Sequence, residues 1–162
     1  MTQFADILRL LVENRVEFIA IGGIAGVAHG LARTTYDVEV VYARNKENIA
    51  RLVGCLGPFN PYPRGAPPGL PFQFDQETVG RGLNFTLQTS LGDLDLLGEV
   101  TGGGRYENLL PFSSPGRAFG VEFPCIHLDR LIVLKRAAGR PKDFDMISQL
   151  EALWEEQKKQ QG

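Results

Sequence analysis

Asp37 and Glu39 flank a single valine in the apolar stretch YDVEVVY at residues 36–42. Side chains two apart on a strand share a face. Tyr36, Val38, Val40 and Tyr42 then form one wholly apolar side, and Asp37, Glu39 and Val41 form the other. Two carboxylates this close raise each other's pKa unless a cation neutralises them. A second acidic stretch, LGDLDLLG at 91–98, sets Asp95 between Leu94 and Leu96, with Asp93 on its face. Two neighbouring strands of this kind would supply Asp37, Glu39 and Asp95 as three oxygen ligands to one point. Mg2+ favours such a shell, completed by water and substrate phosphates. A site of this type polarises a phosphoryl group and lowers the pKa of an attacking hydroxyl. The plain alternatives are a solvated face of an antiparallel sheet for the acids and a hairpin turn for Asp93.

Gly22 and Gly23 precede the acids, where an apolar strand turns into a short helix. Glycine lets the backbone approach a phosphate closely, although a double glycine is more often a tight turn. Neither a Gly-Lys-Ser/Thr phosphate loop nor a GxGxxG dinucleotide fingerprint is present, which sets aside a nicotinamide-dependent oxidoreductase. Arg33 is a candidate phosphate contact or an ion-pair partner of the acids. Lys135 lies at helical spacing from Leu128, Leu131 and Ile132, and either runs its stem along the core or reaches a triphosphate. Arg136, Arg140 and Lys142 suit a helix C-terminus, and a polyanionic acceptor such as RNA is the functional alternative. His29, His127, Ser113 and Ser114 have no partners at catalytic spacing and read as structural.

The elements that must position these groups follow from periodicity. Helices are expected over about 3–13, 24–29, 46–56 and 128–138, with a last helix carrying Met146, Ile147, Leu150, Leu153 and Trp154. Strands are expected at 16–21, 36–42, 83–88, 93–97 and 118–123, with a turn at 89–92 and a glycine-rich corner at 101–104. Residues 57–71, GPFNPYPRGAPPGLP, hold six of the ten prolines and read as a surface loop without helix or sheet. A mixed α/β (α+β) fold is expected, as a single domain over 1–162 whose C-terminal helices start at about 127.

Bulk properties agree. At 162 residues, 43% hydrophobic and 22% charged, the chain suits an ordinary globular protein. No apolar run of membrane-spanning length occurs, and the opening MTQFAD does not read as a signal peptide. Cys55 and Cys125, two thiols far apart, suit the buried cysteines of a reducing, cytoplasmic compartment. A net charge of −2 argues against a dedicated nucleic-acid coat but not against a local basic patch.

The stretch 18–41, FIAIGGIAGVAHGLARTTYDVEVV, resembles the nucleotidyltransferases of the DNA polymerase β superfamily. It looks most like the minimal bacterial members found among toxin–antitoxin and abortive-infection systems. The shared pattern is an apolar strand, Gly22-Gly23, a short helix, His29-Gly30, Arg33-Thr34-Thr35, then Asp37-Val38-Glu39, with Asp95 as the later acid. Residues 131–153, with Lys135 followed by Arg140-Pro141-Lys142-Asp143, are similar to the family's closing helices. Glu39 stands where many active members carry aspartate, and Met146 near where relatives often place another acid.

The resemblance implies a twisted mixed sheet backed by helices. It implies Mg2+ (or Mn2+) held by Asp37, Glu39 and Asp95, with Asp95 also activating the acceptor hydroxyl. A nucleoside triphosphate would bind at Gly22, Gly23, Arg33 and Lys135, and a nucleoside monophosphate would pass to an RNA, protein or small-molecule acceptor. The other reading is a silent module of the same fold that acts as an antitoxin or regulatory partner.

Overall fold

The computed structural model describes residues 2–161. Helix α1 (Phe4–Glu13) buries Ile7, Leu8 and Leu11, the stripe expected of an amphipathic opening helix. Strand β1 (Phe18–Ile21) is buried at every residue, as befits a central strand covered on both faces. It runs into α2 (Gly22–Ala28) and then β2 (Asp37–Tyr42). Asn45 caps α3 (Lys46–Leu56) by accepting from the Asn48 amide at 2.9 Å. The fully buried Asn48 side chain is satisfied in turn by Ala43 O, Glu17 O and the Glu17 amide.

Strand β3 (Tyr62–Pro63), helix α4 (Gln76–Arg81) and the hairpin β4 (Asn84–Thr89)–β5 (Gly92–Leu97) follow. A small ribbon of β6 (Glu99–Val100) and β7 (Gly104–Arg105) leads through α5 (Tyr106–Leu109) to the hairpin β8 (Ser113–Ala118)–β9 (Val121–Ile126). Helices α6 (Leu128–Ala138) and α7 (Phe144–Gln161) end the described chain. The seven-stranded sheet has the order β3-β4-β5-β2-β1-β9-β8. It is mixed: β2 runs parallel to β5 and β1 parallel to β9, and the other neighbours are antiparallel. Helix α1 packs on β2, β9 and α3, while α2 packs on β1, β2 and α6, and α6 on α7. No helix among the described residues is long and apolar enough to cross a membrane.

The structure differs from these expectations at three places. The strand expected at 118–123 is a hairpin, because Phe119 and Gly120 both take positive φ and form its two-residue turn. The paired strand begins at Ser113, in a stretch whose Pro and Gly gave no strand pattern, and β8 tolerates them as an edge strand. Helix α4 carries one buried residue, Val79, too few for a period, yet Asp75 caps it by accepting from the Thr78 amide at 2.8 Å. Third, the 57–71 segment is not free of regular structure. Its Tyr62 and Pro63 pair with Gln88 and Leu87, adding β3 to the sheet edge where proline is permitted. Both cysteines are buried and unpaired, and burial pushes the thiols up to about 11 for Cys55 and about 12 for Cys125.

Candidate active site

Register brings the acids together. In the parallel β2–β5 pair Asp37 lies opposite Asp93, and Glu39 opposite Asp95. All four carboxylates therefore stand on one face of two adjoining strands. The row continues outward from Asp95 to Thr86 on β4, and inward from Glu39 to Ile21 on β1. Asp93, a hairpin-turn residue on the plain reading, lies within β5 and belongs to this face.

The cation on the acid face comes from the 57–71 segment. The Arg64 amide donates to Thr86 O at 2.9 Å, extending the β3 edge by one residue. Its side chain then crosses β4 and meets three acids. Nη2 donates to Asp95 Oδ1 at 2.7 Å and to Leu87 O at 2.8 Å. Nη1 lies 3.7 Å from Asp37 Oδ2, and Nε 3.4 Å from Asp93 Oδ2. Nε is buried and makes no hydrogen bond. Burial raises the Asp95 carboxyl above the usual carboxylate range, and the Asp37 charge adds to it against the pull of Arg64.

The opposite wall is built by the end of α6 and the turn after it. The α6 C-terminus closes on Gly139 at φ +64, a left-handed cap that reverses the chain. Asp143 thereby faces back toward α6. Its buried carboxylate takes Arg140 Nε at 2.7 Å and Lys135 Nζ at 3.5 Å. Burial alone would raise Asp143, but the Arg140 hydrogen bond and the Lys135 charge prevail and hold it below the usual range. Glu39 lies between the two walls. Burial raises its carboxyl first of all, Lys135 pulls it down, Asp95 and Asp37 push it up, and Arg140 opposes.

The glycines are bare because of these neighbours. Gly22 has φ +65, and a Cβ there would collide with the Glu39 carboxylate; at Gly23 it would meet the Thr35 hydroxyl. Two cavities meet at Glu39, Lys135 and Arg140. One, of about 580 Å³, opens over Asp37, Asp95 and Arg64 and is rimmed by Gly23, Arg33 and Lys142. The other, of about 330 Å³, has Gly22 at its inner end and apolar walls of Ile21, Leu97, Val100, Leu131, Leu134 and Ala138. Asn84, Glu99 and Thr101 line it too.

The structure thus brings together Asp37, Glu39, Asp95, Gly22, Gly23 and Lys135. Arg33 lines the larger cavity, but its guanidinium donates to Gln149 on α7 at 3.3 Å and forms no ion pair with the acids, which take Arg64 instead. Sequence reasoning gave neither Arg64 nor Asp143 a role in the site. Arg64 sits in a proline-rich run without period, and only the β3–β4 register places it opposite Thr86. Asp143 stands in the Arg140–Asp143 run, but its grip on Lys135 depends on the left-handed turn at Gly139. Among the described residues no three His, Cys, Asp or Glu side chains are already gathered as a ligand cage. The donor set nevertheless suits a hard divalent cation, being all carboxylate on adjoining strands and already accommodating a positive group.

No protein-family model matches the chain, and no curated protein matches it in sequence. Two crystal structures share its architecture. A Thermotoga maritima protein assigned to the nucleotidyltransferases superposes with a TM-score of 0.54 over 96% of each chain, at 10% identity. The lincosamide antibiotic adenylyltransferase LnuA, solved with lincomycin bound, superposes with a TM-score of 0.62 at 15% identity, over 93% of this chain and 96% of that one. A mixed sheet backed by helices, shared over almost the full length of both, gives this chain the nucleotidyltransferase fold.

Proposed function

We propose that the protein is a metal-dependent nucleotidyltransferase that moves a nucleoside monophosphate from a nucleoside triphosphate to an acceptor, in the cytoplasm. One observation carries the reading: the cleft at Glu39 joins a wall with excess carboxylate to a wall with excess cation. That division is complementary to a divalent cation bound to a triphosphate. Asp37, Glu39 and Asp95 would hold Mg2+ or Mn2+, which supplies Lewis-acid polarisation of the phosphoryl group. Lys135 and Arg140 would face the phosphates, with Arg33 and Lys142 at the rim. Gly22 lines the smaller cavity and Gly23 the larger, so their backbone would stand beside the phosphates.

In the transfer, the acceptor hydroxyl oxygen bonds to the α-phosphorus as the bond to the α–β bridging oxygen breaks. Pyrophosphate leaves, and Asp95, on the strand beside Glu39, takes the hydroxyl proton. The smaller cavity beside Glu39 is lined by Ile21, Leu97, Val100, Leu131 and Leu134 and also by Asn84, Glu99 and Thr101. It favours a small amphipathic acceptor over an RNA backbone, since a cavity of about 330 Å³ is within the range of small-ligand sites. The second reading is a silent antitoxin or regulatory module, and Arg64 seated across the acids favours it.

Transfer from each labelled triphosphate, followed by mass spectrometry of candidate acceptors, separates the two. Parent protein is expected to transfer, Glu39→Asp to retain or raise the rate, and Glu39→Gln to abolish it, because glutamine loses the charge that holds a hard cation. No transfer by the parent would favour the silent module. Transfer that survives Glu39→Gln would contradict both and move the chemistry to Asp93 and Asp95.

A further inference from the structure

We infer that Arg64 is an exchangeable counter-ion of the acid face, which the divalent cation must displace from Asp95 and Asp37 in order to bind. The inference rests on the metal-dependent reading above and adds a competitor from within the chain. The guanidinium reaches the acids that the cation would use, with Asp95 at 2.7 Å and Asp37 at 3.7 Å. Two cations cannot share those oxygens at short range without strong mutual repulsion.

The way Arg64 is held favours exchange over a permanent ion pair. A guanidinium forms its best carboxylate contacts as a bidentate fork. Here each acid receives a different nitrogen, and only the Asp95 contact has hydrogen-bond geometry. The buried Nε, 3.4 Å from Asp93 Oδ2, makes no hydrogen bond, which is costly for a donor. The side chain keeps some exposure, 27%, so it has a way out to solvent. Its backbone, by contrast, is fixed. The amide is bonded to Thr86 O, the next residue turns at φ +80, and Tyr62 bonds back to Pro67 O and Leu70 N. Displacement therefore needs only side-chain rotation, with β3 left in place. The result is a cleft whose carboxylates are partly neutralised by Arg64 while no metal is bound. The apparent metal affinity is reduced by the fraction of molecules with Arg64 seated.

The test is Mn2+ binding to the full chain without nucleotide, followed by electron paramagnetic resonance, in parent, Arg64→Gln, Arg64→Lys and Asp37→Asn. Arg64→Gln is expected to bind Mn2+ roughly tenfold more tightly than the parent, with Arg64→Lys between them. A second readout uses the parent alone and does not depend on the variants folding. Mn2+ should increase phenylglyoxal labelling of Arg64, mapped by mass spectrometry, as the guanidinium leaves the acids. Mn2+ binding that Asp37→Asn weakens but Arg64→Gln leaves equal or weaker, with labelling unchanged, would overturn the counter-ion role alone. Absence of Mn2+ binding in every protein would overturn the metal-dependent reading, and this inference with it.

Discussion

The two walls of the cleft share charge in opposite ways. On the sheet side three carboxylates, Asp37, Asp93 and Asp95, share one guanidinium that is partly exposed and imperfectly bonded. On the helical side two cations, Lys135 and Arg140, share one carboxylate that is 8% exposed and bonded to Arg140 at 2.7 Å. The shared partner is structural on the helical side, because the fold has already desolvated Asp143 and satisfied it. On the sheet side it is replaceable, because Arg64 reaches the acids across a strand and leaves a nitrogen unmatched. A cleft built this way is rigid where it would hold an anion and adaptable where it would hold a cation.

Removing Asp143 should have the largest effect on stability. Asp143→Asn takes from the nearly buried Lys135 its ion-pair partner and leaves Glu39 as its remaining acid, a loss of up to about 3 kcal/mol by the usual cost of breaking a buried ion pair. Urea unfolding at neutral pH measures it. Asp143 is held below the usual carboxylate range in the folded state, so its contribution is complete above the unfolded pKa. It is lost as the pH falls through the lowered folded value, and the gap between parent and variant should close in acid. A gap that persists there would mean that the two cations do not depend on Asp143.

The boundary between the walls is the next test. Gly22→Ala puts a Cβ against the Glu39 carboxylate at a left-handed φ, and should cost roughly 1–2 kcal/mol. Gly54→Ala, in helix α3 with open space around it, should instead stabilise by about 0.5–1 kcal/mol. Thermal unfolding of the two variants checks the contrast. Equal effects would mean that Gly22 is not crowded by Glu39.

Asp37→Asn should have the smallest effect on the fold. Its contact with Arg64 is 3.7 Å long and a third exposed, so stability should change by no more than about 0.5 kcal/mol. Mg2+-dependent nucleotide binding should nevertheless weaken. Calorimetric titration with unchanged metal-dependent binding would remove Asp37 from the site.

Much of the fold was legible in the residues because hydrophobic period reports local geometry directly. The α1 stripe, the buried β1 run, the β2 alternation and the β4–β5 hairpin all follow from which positions are apolar. The same parity placed Asp37 and Glu39 on one side of a strand, and Asp93 and Asp95 on one side of another. Elements without a period stayed hidden: β3 and β8 at the sheet edges, held by backbone pairing and rich in proline, and α4 with its single buried residue.

By itself, then, the sequence determined the two acidic strands, the glycine turn and the helix that carries Lys135, since each is a pattern within one element. Only the tertiary structure decided that β2 and β5 pair in parallel with Asp37 beside Asp93 and Glu39 beside Asp95. It alone turned Arg33 toward Gln149, set Arg64 across the acids and brought Asp143 back to Lys135. The reason is physical. The period can place a charged side chain on a face but does not name its partner, which is chosen by the register of strands far apart in the chain and by the geometry of turns.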